Sequence, residues 1–213
     1  MPILTSSGIV VASTVVVSPD RAALSALLSC WDPDTHAFRL PAGPATFTLE
    51  DALVLAGLPP AGAPLDRTLT PEEDDLRVRL VVEREKIKEL HPCARAARRV
   101  SAEVWLEWFD GGGIRPGEDD ELRWLGFLAY WLAFFVTPRL RSRGGELPER
   151  VFAHAARLSL GERIALGQGM VANLYAEMDK IVTCTVADGV CGRLDVCVPV
   201  WMLQVWMWER YKR

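Results

Sequence analysis

Residues 29–60 read "SCWDPDTHAFRLPAGPATFTLEDALVLAGLPP", and this stretch carries the clearest structural signals in the chain. A proline follows Asp32 and disfavours helical backbone there, so "DPDTHAFRLPAG" is predicted to be extended. Thr48 and Asp51 have capping-box spacing, in which each side chain accepts a hydrogen bond from the backbone of the other. Gly57 can adopt the left-handed backbone that ends a helix, and Pro59 prevents its continuation. The stretch therefore predicts an extended segment followed by a short helix with fixed ends.

Asp32, Asp34 and His36 alternate within this extended segment. On a strand they would share one face, which would suit a metal site or an acid/base pair. In the second interpretation Asp32 caps the end of the preceding helix or a turn and His36 packs beside Phe38, since Asp and His are common in turns and local caps. We favour the structural interpretation and keep an enzyme with a site near Asp32 and His36 as an alternative.

The bulk composition is that of a folded, acidic protein. Of the 213 residues, 50% are hydrophobic and 24% charged, a balance typical of globular proteins rather than disordered ones. The net charge of −4 argues against a dedicated nucleic-acid binder, which would carry a basic footprint. One loop with alternating arginines could still contact phosphates, and its residues are Arg139, Arg141 and Arg143. The other interpretation of this loop is a solvated basic segment.

The chain has five cysteines, an odd number, and no CxxC motif. They are interpreted as reduced thiols of a cytosolic or nuclear protein. A zinc site formed by Cys184, Cys191 and Cys197 with a distant His is the alternative, although this spacing fits no standard pattern.

Residues 119–136 predict a helix at the centre of the fold. The run "WLGFLAYWLAFFV" is too short for a membrane span, which needs about 18 or more apolar residues, and "GEDDELR" precedes it. Apolar side chains surround the whole circumference, and such a helix in a soluble protein is buried on nearly every side. The alternative leaves one face exposed as an interface, formed by Trp124, Phe127 and Phe134.

The remaining patterns predict a mainly α, single multi-helix globular domain around that helix, with minor β structure near 9–17 and 181–198. Residues 1–8 are expected to be an N-terminal tail and 9–213 the domain. Further helices are expected from a Ser18 cap to about Trp31, over 70–90, 101–109 and 199–213, and as two consecutive helices within 148–182. Ser159 and Glu162 have the spacing of a capping pair between those two helices.

The tryptophans are assigned mainly to the core rather than to base-stacking platforms. Trp31, Trp105, Trp124 and Trp131 fit buried helix faces, because aromatic side chains bury large areas. In the last helix three tryptophans cannot all point in one direction, so one of them is expected to mark an exposed partner-binding patch.

Four segments, in the expected order, resemble the plant mobile domain family. They are "LLSCWDPDTHAFRLPAGPATFTLEDALVLAGLPPAGAPL", "FLAYWLAFFVTP", "LSLGERIALGQGMVANLYAEMDKI" and "MLQVWMWERY". The positions that match the family signature are Trp31, Pro33, Thr35, Phe38, Thr48, Leu49, Asp51, Gly57, Leu58, Pro59, Gln204, Trp206 and Glu209. "PAGPATFT" departs from the family's usual Gly-Glu-Met-Thr approach to the helix. The chain ends soon after the fourth segment, where many members continue, so a C-terminally truncated or mobile-element-derived copy is one interpretation.

The resemblance implies a non-enzymatic, nuclear protein-interaction domain of transposon origin, with the cytoplasm as the alternative location. Its implied roles are transposon silencing, genome integrity or meristem maintenance. Its implied partners are other proteins, among them a serine/threonine phosphatase-like protein, and no membrane. The first alternative function is a transposon-encoded accessory module that contacts nucleic acid through the loop from Arg139 to Arg143.

The family is often labelled aminotransferase-like, a chemistry that the residues do not support. A pyridoxal enzyme needs a Schiff-base lysine, a partner for the pyridinium nitrogen and a phosphate cradle. Lys86 and Lys88 lie on a highly charged helix, Lys180 ends a helix and Lys212 is near the terminus. The glycine-rich "DGGGIRPG" follows a predicted helix rather than a strand, which is the wrong context for a phosphate loop. We therefore expect no enzyme activity, no catalytic residues, no cofactor and no metal.

Overall fold

The computed structural model describes residues 20–114, 118–136, 147–188 and 200–211. The chain forms two compact units. Unit 1 comprises Met1–Ala61 and Ala165–Arg213, and unit 2 comprises Gly62–Ile164. Unit 2 is therefore an insertion in the chain of unit 1.

The described residues form nine α-helices, one small sheet and two π-helical turns. In chain order these are α1 (Arg21–Leu28), β1 (Trp31–Asp32), β2 (Ala37–Leu40), β3 (Gly43–Ala45), α2 (Leu49–Ala56), α3 (Pro71–Leu90), α4 (Pro92–Ala97), α5 (Ala102–Glu107), the turn π1 (Trp108–Gly112), α6 (Asp120–Trp131), the turn π2 (Leu132–Val136), α7 (Arg150–Ser159), α8 (Leu166–Asp188) and α9 (Val200–Arg210). The predicted mainly α fold class with minor β structure is confirmed.

Unit 1 packs its helices around a three-stranded antiparallel sheet. Helix α8 contacts α1, α2 and β1, and α9 contacts α1 and α2. In the sheet, Trp31 lies opposite Phe38, and Phe38 lies opposite Ala45. This register places the buried Trp31 and Phe38 side by side under α8 and α9, because directly opposite residues of neighbouring strands share a face.

In unit 2 the described secondary structure is helical, apart from one isolated β-bridge. Helix α6 contacts α3, α5 and α7, so it lies at the centre of this unit, as predicted for the apolar helix. Leu125 and Leu128 are fully buried and Trp131 is 1% exposed. Burial is incomplete on one side, where Phe127 is 37% exposed and its ring stacks on that of the half-buried Trp124. The alternative of an exposed apolar face thus holds for part of the helix.

The β structure lies elsewhere than predicted. Residues 9–17 and 189–198 are outside the described residues, but 181–188 continue helix α8 instead of forming a hairpin. The β-branched residues there are helical, because strand propensity depends strongly on context and does not by itself define a strand. The Thr183 hydroxyl donates to the Asp179 carbonyl one turn earlier. The sheet forms instead within the segment predicted only to be extended.

Three predicted helix boundaries are also corrected. Asp20, and not Ser18, is the N-cap of α1, since its side chain accepts a hydrogen bond from the backbone N–H of Ala23 at 3.0 Å. This helix ends at Leu28, so Trp31 belongs to β1 although it is buried as expected. Ser159 ends α7 and its hydroxyl donates to the Ala156 carbonyl, so it does not cap the helix that follows.

Candidate functional site

An aromatic cluster at the centre of unit 1 joins three of the four family-like segments. The rings of Trp31 and Phe38 are 5.0 Å apart, and that of Trp206 lies 5.5 Å from Phe38. Tyr175 of α8 completes the cluster, with its ring 5.4 Å from Trp31. Phe38 is fully buried, and Trp31 and Trp206 are nearly so. The signature aromatics therefore hold distant parts of the chain together.

Asp32 is buried and satisfied within its own hairpin. Its carboxylate accepts hydrogen bonds from the Thr35 hydroxyl at 2.7 Å and from two guanidinium nitrogens of Arg39 at 2.7 and 3.0 Å. The backbone N–H of Asp34 donates to the same carboxylate at 3.2 Å. The hydrogen bond from Thr35, followed by that from Arg39, lowers the pKa of Asp32. These contacts stabilise the β1–β2 turn and explain the role of the signature residue Thr35, which donates to Asp32 across that turn.

His36 makes contacts different from those of Asp32. Its ring stacks on Tyr175 at 5.4 Å and 11°, and its Nε2 lies 3.1 Å from an Asp179 oxygen. The other Asp179 oxygen accepts from the Trp31 indole N–H at 2.8 Å. His36 has a φ of 49°, a left-handed conformation that is uncommon for a side-chain-bearing residue. Asp32 and His36 thus have separate partners, and each contributes to a contact within unit 1.

The predicted capping box of α2 is confirmed and has a further partner. The Thr48 side chain accepts from the Asp51 N–H at 3.2 Å, and the Asp51 carboxylate accepts from the Thr48 N–H at 2.8 Å. Arg210, in the last family-like segment, donates to the other Asp51 oxygen at 2.9 Å. Burial favours a raised pKa for Asp51, but the hydrogen bonds from Arg210 and Thr48 outweigh it and lower the pKa. Thr48, Asp51 and Arg210 therefore connect α2 to α9.

The Gly-Leu-Pro turn after α2 receives the start of α8. Gly57 has the predicted left-handed backbone, with φ 65°. Leu58 is 1% exposed, and the Pro59 carbonyl accepts from the Gly167 N–H at 2.9 Å. A Cβ on Gly167 would come within 3.2 Å of that carbonyl, so glycine permits this close approach. The signature Gln204 links α9 to the start of α1, because its Oε1 accepts a hydrogen bond from the Asp20 N–H at 2.8 Å.

The same two helices, α2 and α9, expose apolar side chains. Val54 is 69% exposed, Leu53 45% and Trp208 50%. We define the α2–α9 surface as the exposed apolar residues of these helices and the residue after α9, namely Leu49, Leu53, Val54, Trp208 and Tyr211. Trp201 and Trp206 are buried, so the expectation that one tryptophan of the last helix is exposed is met by Trp208.

The lysines considered for pyridoxal chemistry lie beside carboxylates on helix surfaces. Lys86 pairs with Glu83 at 2.5 Å, Lys88 with Glu85 at 3.1 Å, and Lys180 with Glu177. Each pair spans one helical turn, a spacing at which opposite charges are neighbours. Lys212 lies outside the described residues. In the described ranges, no three His, Cys, Asp or Glu side chains are grouped so as to hold a metal ion.

Unit 2 contains a buried ion network that sequence reasoning missed. Arg157 is fully buried and donates to Glu162 at 2.6 Å and to the backbone carbonyls of 64 and 65 at 2.8 and 3.1 Å. Arg67 donates to Glu162 at 2.8 Å and to Glu73 at 3.0 Å. Hydrogen bonds from Arg67 lower the pKa of Glu73 to about 2. Glu162, predicted to be a helix cap, is instead the shared acceptor of two arginines.

This ion network lies where the chain enters and leaves unit 2. The N–H of Ala63 donates to the Arg163 carbonyl at 2.8 Å, and Ala63 and Ile164 form a single parallel bridge. The only local signal was an arginine five residues before a glutamate, and nothing in that spacing indicates pairing with residues near 65.

The basic group that the structure describes is not the one that the sequence predicted. Arg139, Arg141 and Arg143 lie outside the described residues. The structure adds a basic group at α4, whose exposed side chains are Arg95, Arg98 and Arg99. They make no ion pair with another described residue. The run "RAARR" was the signal that could have identified this group.

Comparison with known families identifies the chain. The model of the family described as Plant mobile domain matches residues 7–213. Since this match includes nearly every residue, the chain belongs to the plant mobile domain family. The resemblance inferred from the four segments is thereby confirmed.

One curated relative is a protein of Arabidopsis thaliana described as "Serine/threonine-protein phosphatase 7 long form homolog". It is 29% identical over 209 residues, which cover 90% of this chain and 13% of the relative. The chain therefore spans about an eighth of that relative's length. No solved structure matches the chain. In the described parts of the chain, no helix combines the length and apolarity required to cross a membrane.

Proposed function

We propose that the protein is a non-enzymatic protein-interaction domain of transposon origin that acts in the nucleus, in transposon silencing, genome integrity or meristem maintenance. The nuclear location and these roles are drawn from the family. The observation that carries the interaction role is the α2–α9 surface, where Leu53, Val54 and Trp208 expose large apolar groups to water. Such groups lose water on docking, and aromatic residues dominate the binding energy of many interfaces.

The proposed partner is a serine/threonine phosphatase-like protein. The family resemblance supports it, and the Arabidopsis thaliana relative is itself described as a serine/threonine-protein phosphatase homolog. Arg210 donates to Asp51 at 2.9 Å and so links the two helices that carry this surface, which reduces the reorganisation needed for docking.

The test compares two variants of the full chain as baits in plant nuclear extract. Leu53→Gln with Trp208→Gln should lose most of the phosphatase-like protein that the unchanged chain retains. Val82→Gln on α3 is the matched control, because Val82 is 46% exposed and Leu53 45%, yet Val82 is in the other unit. Equal retention by all three baits, with equal unfolding midpoints, would contradict the proposed surface.

A second candidate is nucleic-acid contact, favoured by the exposed Arg95, Arg98 and Arg99 at α4. Arginines that contact phosphates release counterions, so affinity should fall steeply with salt. Fluorescence anisotropy of a labelled DNA duplex would measure this in 50 and 200 mM salt. Changing all three arginines to glutamine should flatten the salt dependence, and an unchanged slope would exclude this group as the contact.

A further inference from the structure

Unit 2 contains a cavity of about 360 Å³ that no part of the proposed function uses. Helices α5 and α6 and the turn π1 line it, and the lining includes Trp105, Phe109 and Phe127. Its volume is within the range of pockets that bind small molecules or side chains, and such pockets are mostly apolar with a few polar groups.

The cavity walls are held in place by local geometry. Gly111 has a φ of 120° within π1, a conformation that favours glycine and lets the chain turn sharply after Phe109. A Cβ on Gly126 would lie 2.4 Å from the Phe109 ring, so this ring occupies its position only because residue 126 is glycine. The Trp105 indole N–H donates to the Gly126 carbonyl at 2.9 Å. The cavity is therefore preformed and needs little reorganisation to accept a ligand.

Among the described residues, the cavity edge carries two carboxylates and one guanidinium. Glu107 and Asp110 line it and are both exposed, and the Glu107 carboxylate also lies 3.3 Å from His91 Nε2. Among the described lining residues the cation is Arg123, whose Nε donates to the Phe109 carbonyl at 3.0 Å and whose terminal nitrogen lies 3.7 Å from Asp120. Its charge is thus already matched by acceptors of unit 2. A ligand that complements this edge carries a positive charge.

We propose that this cavity binds a segment of a partner protein in which one large apolar side chain is next to a lysine or arginine. The apolar side chain enters between Phe109 and Phe127, and the cation meets Glu107 and Asp110. Leu106 and Phe127, which are 38% and 37% exposed at the edge, lose their contact with water when the segment binds. This site is independent of the α2–α9 surface, since all of its residues belong to unit 2.

The probes are two peptides that differ in one charge, acetyl-Gly-Phe-Lys-Gly-amide and acetyl-Gly-Phe-Glu-Gly-amide. Each is titrated into the ¹⁵N-labelled full chain, and the resonances of the Trp105 indole N–H and the Gly126 amide are followed. The lysine peptide should shift both resonances and should bind more tightly than the glutamate peptide. Glu107→Gln with Asp110→Asn should weaken the lysine peptide about three- to tenfold, the effect of two exposed ion pairs.

The matched control is Asp75→Asn with Glu89→Gln, which removes two exposed carboxylates of α3 and should leave the affinity unchanged. Equal unfolding midpoints of the two variants exclude a folding defect. The proposal is overturned if neither peptide shifts the two resonances in the millimolar range, or if both peptides bind equally well. The Leu53 and Trp208 variants test the proposed function separately, because they leave the cavity intact.

Discussion

His154 is the single residue with the clearest expected response to pH. It is half-buried in α7, and burial, with Arg157 and Arg150 nearby, lowers its pKa from 6.5 to about 4. Between these values the unfolded chain binds a proton that the folded chain does not, so stability should fall as the pH is lowered from 6.5 towards 4. The loss should be on the order of 3 kcal/mol, at about 1.4 kcal/mol per pKa unit.

Urea unfolding from pH 7 to pH 4 measures this effect. His154→Gln keeps a polar side chain but does not titrate, so its stability should vary less over the same range. Parallel pH profiles for the two proteins would show that His154 is protonated as easily in the folded chain as in the unfolded one.

Among individual residues, the sequence predicted those whose partners are local. Thr48 and Asp51 are three positions apart, and Gly57 needs only a left-handed backbone, so their roles follow from spacing and residue type. Asp179 could not be predicted as the partner of Trp31 and His36, because they are 148 and 143 positions away. Tyr175 and Asp179 are one turn apart on α8, which indicates a shared face but not the strand that it meets.

Helix α2 offers a direct measurement of its N-terminal cap. Thr48→Ala removes the side chain that accepts from the Asp51 N–H, and should destabilise the protein by about 0.5–2 kcal/mol. Thr48→Ser is the control, because serine can accept the same hydrogen bond and should retain most of the stability. Equal denaturation midpoints for the alanine variant and the unchanged chain would show that this cap contributes nothing.

The C-terminal end of α2 tests the left-handed glycine. Gly57→Val forces a β-branched side chain into φ 65° and should destabilise unit 1 by more than about 1 kcal/mol. Gly57→Asn should be tolerated better, because asparagine adopts this conformation more readily. The two denaturation midpoints would be compared in the same buffer, and a valine variant as stable as the asparagine variant would contradict the assignment.

Among the secondary-structure elements, the sequence predicted those helices that have a capping residue, a glycine at the C-terminal end or apolar residues at helical spacing. The start of α3 at Pro71 and its end at Leu90 follow from such signals and agree with the structure. The strands were harder, because the pairing of Trp31 with Phe38 depends on the turn pinned by Asp32 and Arg39. Minor β structure was predicted near 181–198 because the segment is rich in turn residues, but 181–188 continue helix α8.

For the molecule as a whole, the ion network of unit 2 is expected to control stability. Glu162→Gln weakens its link to Arg67 and leaves the fully buried Arg157 without its carboxylate partner. Breaking a buried pair on one side costs about 3–5 kcal/mol, so this variant should lose much of the stability of a typical domain.

The control for this variant is Glu149→Gln. Glu149 also accepts from two arginines, Arg77 and Arg84, but its side chain is 48% exposed. Exposed pairs contribute about 0–1 kcal/mol, so urea unfolding should show a small change for this variant. Similar midpoints for the Glu162 and Glu149 variants would show that burial does not strengthen the network.

The division into two units was not predictable from the sequence. The apolar helix α6 was correctly predicted to be a central helix, but it is central to unit 2, residues 62–164, and not to the whole chain. The contacts that define this unit include Arg157 with the carbonyls of 64 and 65, more than 90 positions away. No periodicity or cap encodes such a pairing.

The insertion of unit 2 into unit 1 has a consequence for synthesis on the ribosome. Trp31 and Asp51 emerge early, but their partners Asp179 and Arg210 follow 148 and 159 residues later. At about 5–20 residues per second, the delay is roughly 7–32 s. During it, all of unit 2 is synthesised while Trp31 and Asp51 still lack these partners. Translation that stops before α8 would therefore leave the first part of unit 1 without the contacts that complete it.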